Sequence, residues 1–190
     1  FGCGGNSDSF YAAGFKSSLN ACEYLYGMGL SAYEYECTHG VRLSNAFCAS
    51  LGKTARDFAI HLSIHAPYYI NLASEDMVIR QKSIMHILKT LRAAEQMGAE
   101  RVVFHPGTQG ELTREQAMEN AENLLEEIIF QARRDELLNG VLLCPETMGK
   151  PGQLGTLGEV LRLCEVADCV RPTVDFAHIH ALTGGRLTST

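Results

Sequence analysis

Four apolar runs of this sequence end on side chains that bind protons or metal ions. "AIHLSIHAP" delivers His65, "RVVFHPG" delivers His105, "VLLCPET" delivers Glu146, and "PTVDFAH" delivers Asp175 and His178. Imidazole nitrogens together with carboxylate oxygens suit zinc, and also manganese or iron. A glutamate can in addition bridge two ions through its two oxygens. A lone strand-end histidine is usually a satisfied polar group, and a lone carboxylate there caps the next helix as readily as it binds an ion. The joint placement points the other way. His65, His105, Glu146 and Asp175 are separated by 40, 41 and 29 residues, each about one strand-helix repeat, so adjacent strands would bring them together. His178 lies three residues after Asp175 and converges from the same loop.

The elements that must carry these donors are legible in the apolar pattern. Strands are expected at "FGCG", "SAYEYEC", Phe58 to Ile64, Arg101 to Phe104, "VLLC" and "PTVDF". Between them lie helical stretches: Lys16 to Met28 with Gly29 as its cap, Asn45 to Arg56, and a long helix from an N-cap at Ser74 to Gly98. Two more open on the capping boxes "TREQ" and "TLGE". Six strand-helix repeats, the last without its helix, predict a parallel sheet in one domain spanning residues 1–190.

Parity within the strands adds direction. Successive side chains alternate between faces, so His65 falls opposite Leu62 and Ile64, and His105 opposite Val102 and Phe104. Glu146 shares a face with Leu142 and Cys144, and Asp175 falls opposite Val174 and Phe176. With helices over the bulky faces, the donors point inward from the C-terminal ends of the strands, where a TIM (β/α)8 barrel builds its active site. His61 shares the inward parity one strand pair deeper and reads as packing. His86 sits mid-helix, facing solvent or a neighbouring helix, and His39 and His180 are loop residues without an assigned role.

The bulk numbers exclude other classes. A chain of 190 residues with 46% hydrophobic and 20% charged residues has globular composition. Its apolar runs are strand-sized, and its first residues lack the basic and apolar regions of a signal peptide, so no membrane association and a cytoplasmic location are expected. Seven cysteines without CxxC spacing argue against a disulfide framework. The net charge of −6 argues against a broad basic surface for nucleic acid but not against a local cationic site. "GCGGNS" lacks the third glycine of a dinucleotide loop, and "GKPGQLGT" lacks the Lys-Ser or Lys-Thr pair of a phosphate loop, so no nucleotide cofactor is expected.

In this order, "IHAPYYINLAS", "VVFHPG", "PETMGKPGQLGTL" and "VDFAHIHA" closely resemble the endonuclease IV family of apurinic/apyrimidinic endonucleases. The resemblance implies a TIM barrel with up to three zinc ions that hydrolyses the phosphodiester 5′ to an abasic site in duplex DNA, a base-excision repair step. It also implies roles: His65 and His105 on the first zinc, Glu146 bridging the first and second, Asp175 on the second, His178 on the third. Tyr68 matches a tyrosine that lies against the DNA, and Arg42 is the candidate DNA contact from the loop after strand two. A competing reading is a metal-dependent sugar isomerase or epimerase of the related xylose-isomerase-like barrels, which share the strand-five Glu and the Asp-x-x-His. The histidine pair His65 and His105 favours the nuclease.

A (β/α)8 barrel has eight strands and typically about 250 residues. With about six units expected here, the barrel reads as incomplete. In the resembled family the remaining part supplies a histidine, an Asp-x-His pair and a glutamate. The stretch alone is therefore expected to be weakly active or inactive, and the complete form a monomer.

Overall fold

The computed structural model describes residues 1–188. Five parallel strands form one sheet in the order β1-β2-β3-β4-β5: Gly2–Gly4, Ala32–Glu36, His61–His65, Arg101–Phe104 and Leu142–Pro145. Every strand pairs with its neighbour in sequence, without the order reversal of a doubly wound sheet. Such a sheet winds in one direction and gathers its helices on one side. The result is an arc of an α/β barrel, as the repeat pattern predicts.

The helices are α1 (Asp8–Ala12), α2 (Ala21–Gly27), α3 (Asn45–Asp57), α4 (Met77–Met97), α5 (Arg114–Arg134), α6 (Leu157–Cys164) and α7 (Phe176–Leu182). From α3 to α6 each packs on the next. They bury one face of the strands: Leu62, Ile64, Val102, Phe104 and Leu143 are all buried against Leu91, Leu124, Leu125 and Ile128 in one core. Among the described residues no helix is long and apolar enough to cross a membrane.

Both expected capping boxes form, Thr113 with Gln116 and Thr156 with Glu159. Gly98 closes α4 in the left-handed region at φ 71°. Other boundaries move for local reasons. Asp76, not Ser74, caps α4, because its carboxylate accepts from the amides of both Val78 and Ile79. The stretch before α2 is a short 3-10 turn at Ser18–Asn20, and α1 is a helix the periodicity did not foretell. β3 starts at His61, because Phe58 still caps α3 and Ala59 reverses the chain at φ 53°.

The sixth strand is the main departure. Residues 169–173 run along β5, but only the isolated bridges Leu143↔Val170 and Glu146↔Thr173 form. Arg171 N donates to Leu143 O and Thr173 N to Pro145 O, each at 2.9 Å. The bond between them would need a donor on Pro145, and proline has no N–H. Phe176, expected in that strand, instead opens α7, so the last repeat does have a helix. Val174 and Phe176 are exposed at 36% and 66% rather than covered.

Candidate metal centre

Three neighbouring strands bring His65, His105 and Glu146 to one point. β3 ends on His65, while β4 and β5 run into His105 and Glu146. The Glu146 amide continues the ladder by donating to Phe104 O at 3.0 Å, which keeps its side chain beside that of His105. His65 Nε2 and His105 Nε2 each lie 3.1 Å from the same atom, Glu146 Oε2. The two rings meet edge to face, with centroids 4.9 Å apart. One donor atom from each of the three residues fits within 4.8 Å of the others.

Glu146 belongs to a second group as well. A donor atom from each of Glu146, Asp175 and His178 also lies within 4.8 Å of the others. His178 Nδ1 is 3.7 Å from Glu146 Oε1 and 3.5 Å from Asp175 Oδ2. Asp175 caps α7, its Oδ1 accepting from the His178 amide at 2.8 Å, so the bland capping role and the donor role fall on one side chain. All five expected donors thus meet, with Glu146 shared between the two groups.

The electrostatics follow from this packing. Burial works against charge on Glu146, but hydrogen bonds from His105 and His65 outweigh it and hold the carboxyl down at about 2. Burial also opposes charge on His65. Its bonds to Glu146 and the Ala66 carbonyl, with Glu36 nearby, outweigh that and raise the imidazole to about 9. His65 Nδ1 lies 2.8 Å from Ala66 O, which directs Nε2 at Glu146. Two imidazole nitrogens and a carboxylate oxygen are a donor set that fits a divalent cation of the zinc, manganese or iron type. The cation would displace the protons that bind these groups together here.

The other sequence candidates are scattered. Tyr68 is 54% exposed, edge-on to His39 at 6.0 Å and to Tyr69 at 5.4 Å. Arg42 is exposed in the loop after β2, beside a shallow concavity shared with Glu36 and His39. Neither belongs to the donor groups. His61 has the inward parity but does not pack: its side chain is 72% exposed and sits 3.6 Å from Glu100, because β3 begins there at the open end of the sheet. His86 stacks edge-on against Tyr69 at 4.9 Å.

Two residues near the donors were not foreseen. Glu36 pairs in register with His65, and burial raises its carboxyl above the ordinary value despite His65 and His105. Its alternation with Glu34 in "AYEYE" is the signal that places it on the inward face. Thr147, next to Glu146, is wholly buried and bonded to residues 173–178, and nothing in its sequence context marks it.

The chain is 33% identical over 175 residues to the uncharacterized protein MJ0133 of Methanocaldococcus jannaschii, covering 90% of this chain and 60% of that protein. It is 34% identical over 100 residues to a probable endonuclease 4 of Aquifex aeolicus, covering 53% of this chain and 34% of that one. Among solved structures, a D-psicose 3-epimerase superposes with a TM-score of 0.72 at 19% identity, over 87% of this chain and 60% of its own. Endonuclease IV from Thermus thermophilus does so at 0.66 and 23%, over 95% and 63%. At these identities the two superpositions establish the fold alone, and the chain spans less than two thirds of each of these proteins. A family model described as the xylose isomerase-like TIM barrel matches residues 22–189; with the parallel strand order and inward strand-end donors already in place, the chain belongs to that family.

Proposed function

We propose that this chain carries the metal centre of a DNA repair nuclease, which hydrolyses the phosphodiester on the 5′ side of an abasic site. The observation that carries the reading is the pair of histidines aimed at one glutamate oxygen, His65 and His105 on Glu146. The sequence similarity to probable endonuclease 4 proteins supports the same reading. His65, His105 and Glu146 would hold a first divalent ion, zinc in the first instance with manganese or iron as alternatives. Glu146 would share a second ion with Asp175, and His178 would serve a third.

A cation held there supplies Lewis-acid charge to the phosphate oxygens and acidifies a water. The chain's own residues do the rest. Glu146 binds across both donor groups and holds the negative charge that keeps them together. His105 orients it from the adjacent strand β4 and His65 from β3, one strand further on. In the reaction the water oxygen bonds to phosphorus, the P–O bond to the 3′ oxygen of the preceding nucleotide breaks, and a proton ends on that oxygen as a 3′-hydroxyl. No side-chain nucleophile is required. Tyr68 and Arg42, both exposed, stand on the loops after β3 and β2 where a duplex would lie. An abasic nucleotide is extruded at low cost because it has no base to unpair.

The second reading is a metal-dependent sugar epimerase of the same barrel family, favoured by the second donor group, Glu146 with Asp175 and His178, which the sites of those barrels resemble. One experiment separates them. A form extended to the complete barrel is incubated with duplex DNA bearing a synthetic abasic site, and in parallel with ketohexoses. Nicking that leaves a 3′-hydroxyl and no β-elimination product is expected; epimerisation without nicking overturns the nuclease reading.

A further inference from the structure

We infer that Thr147 is the positioning residue that couples the two donor groups, holding Asp175 and His178 in place against Glu146. The inference rests on the metal-centre reading above and extends it to a residue that donates nothing to a cation itself.

Thr147 follows Glu146 directly and is wholly buried, at 0% exposure. Its polar atoms are all turned to the segment that carries the second group. Its amide donates to Thr173 O at 3.0 Å. Its hydroxyl accepts from the Asp175 amide at 2.8 Å and reaches the Asp175 carbonyl at 3.3 Å. Its carbonyl lies 2.9 Å from His178 Nδ1. A buried hydroxyl left without a partner is costly, so these contacts pin the segment rather than merely touch it.

The neighbouring strand explains why one residue carries so much. Pro145 cannot donate, so the ladder between β5 and residues 169–173 is interrupted just before the donors. Past the gap, Thr173 N rejoins the ladder at Pro145 O, and the amide and hydroxyl of Thr147 extend the connection and set the position of Asp175. The carbonyl then selects the ring state of His178. With Nδ1–H given to Thr147 O at 2.9 Å, closer than Glu146 or Asp175, the lone pair of the neutral ring sits on Nε2, and Nε2 rather than Nδ1 is the nitrogen left free to ligate. A hydrophobic clamp would account for the burial of Thr147. It would not account for a hydroxyl and a carbonyl both spent on the two donor residues.

The test uses zinc-free wild-type protein, T147V, which keeps the shape without the hydroxyl, and T147S, which keeps the hydroxyl. Each is titrated with cobalt(II) alone, following visible absorption and equilibrium dialysis, with H105A alongside. T147V should retain the first ion and lose roughly 10–100-fold in affinity for the next, the usual loss on removing an orienting neighbour. T147S should recover most of that loss. T147V matching wild type at every ion, or T147S falling as far as T147V, overturns the inference. Should T147V fail to fold, or wild type take up fewer than two ions, the ¹⁵N shifts of the neutral His178 ring in metal-free wild type decide. Protonation on Nδ1 supports the coupling, and protonation on Nε2 overturns it. Wild type and H105A binding cobalt alike would defeat the metal-centre reading, leaving the tautomer to judge Thr147 separately.

Discussion

His65 Nε2 lies 3.1 Å from Glu146 Oε2 although 81 residues separate them in the chain, and both side chains are about nine-tenths covered. A buried imidazole and carboxylate at this distance depend on each other, so removing one exposes the cost of the other. The pair also supplies two of the three donors of the first group.

The first expectation concerns metal content. Alanine at His105 removes one of two imidazoles facing Glu146 Oε2. Zinc affinity should fall by more than about 100-fold, beyond the range caused by losing an orienting neighbour alone. Zinc per chain, measured by atomic emission after dialysis, checks it. Unchanged content in a variant with alanine at His65, His105 and Glu146 together would refute the site.

The second concerns the loop after β5. Glu159 accepts from Arg114 Nε at 2.5 Å and Nη2 at 2.7 Å, and from the amides of Gly155 and Thr156 at 2.9 Å each. Burial opposes its charge, but Arg114 and those amides outweigh burial and hold the carboxyl down at about 2, against an ordinary 4.5. A depressed carboxylate stabilises the fold when ionised. Its contribution is full above about 4.5 and lost as pH falls through about 2. E159Q should therefore destabilise by about 1.5–3 kcal/mol at pH 7, with the gap to wild type closing in acid. Urea unfolding across that window measures it, and a gap that stays constant contradicts the assignment.

Gly107 tests the joint between the loops carrying His65 and His105. Its φ is +124°, and an added Cβ would lie 2.2 Å from Asn71 Oδ1. That oxygen accepts from the amides of Ala73 and Thr108, each at 3.1 Å. G107A combines backbone strain with a clash and should cost about 2–5 kcal/mol. Calorimetry should show a clear fall in Tm; an unchanged Tm would mean the loop relaxes freely.

Tyr68 separates DNA contact from metal binding. It is exposed and outside both donor groups. Y68A should keep wild-type zinc content and weaken binding to abasic duplex by about 1–3 kcal/mol, the scale of one aromatic stack. Fluorescence anisotropy checks the affinity. Equal affinity would remove Tyr68 from the proposed DNA surface.

Much of this protein was decided by short-range chemistry. The alternation of Leu62 and Ile64 with Ser63 and His65, the capping boxes at Thr113 and Thr156, and the donors at strand ends each depend on residues within about four positions of one another. The sequence therefore specified a parallel repeat with inward-pointing donors, and its motifs the family. What needed the tertiary structure was everything that joins distant segments. That both histidines meet one oxygen of Glu146 depends on the register of β3, β4 and β5. That Pro145 interrupts the sixth strand depends on which residue happens to face its missing N–H. His61 pointed inward and still stood in solvent, because alternation orders side chains across a strand but says nothing of where along the sheet cover ends. Thr147 looked like an ordinary residue after a glutamate; its role exists only because residues 173–178, some 30 positions on, fold back against it.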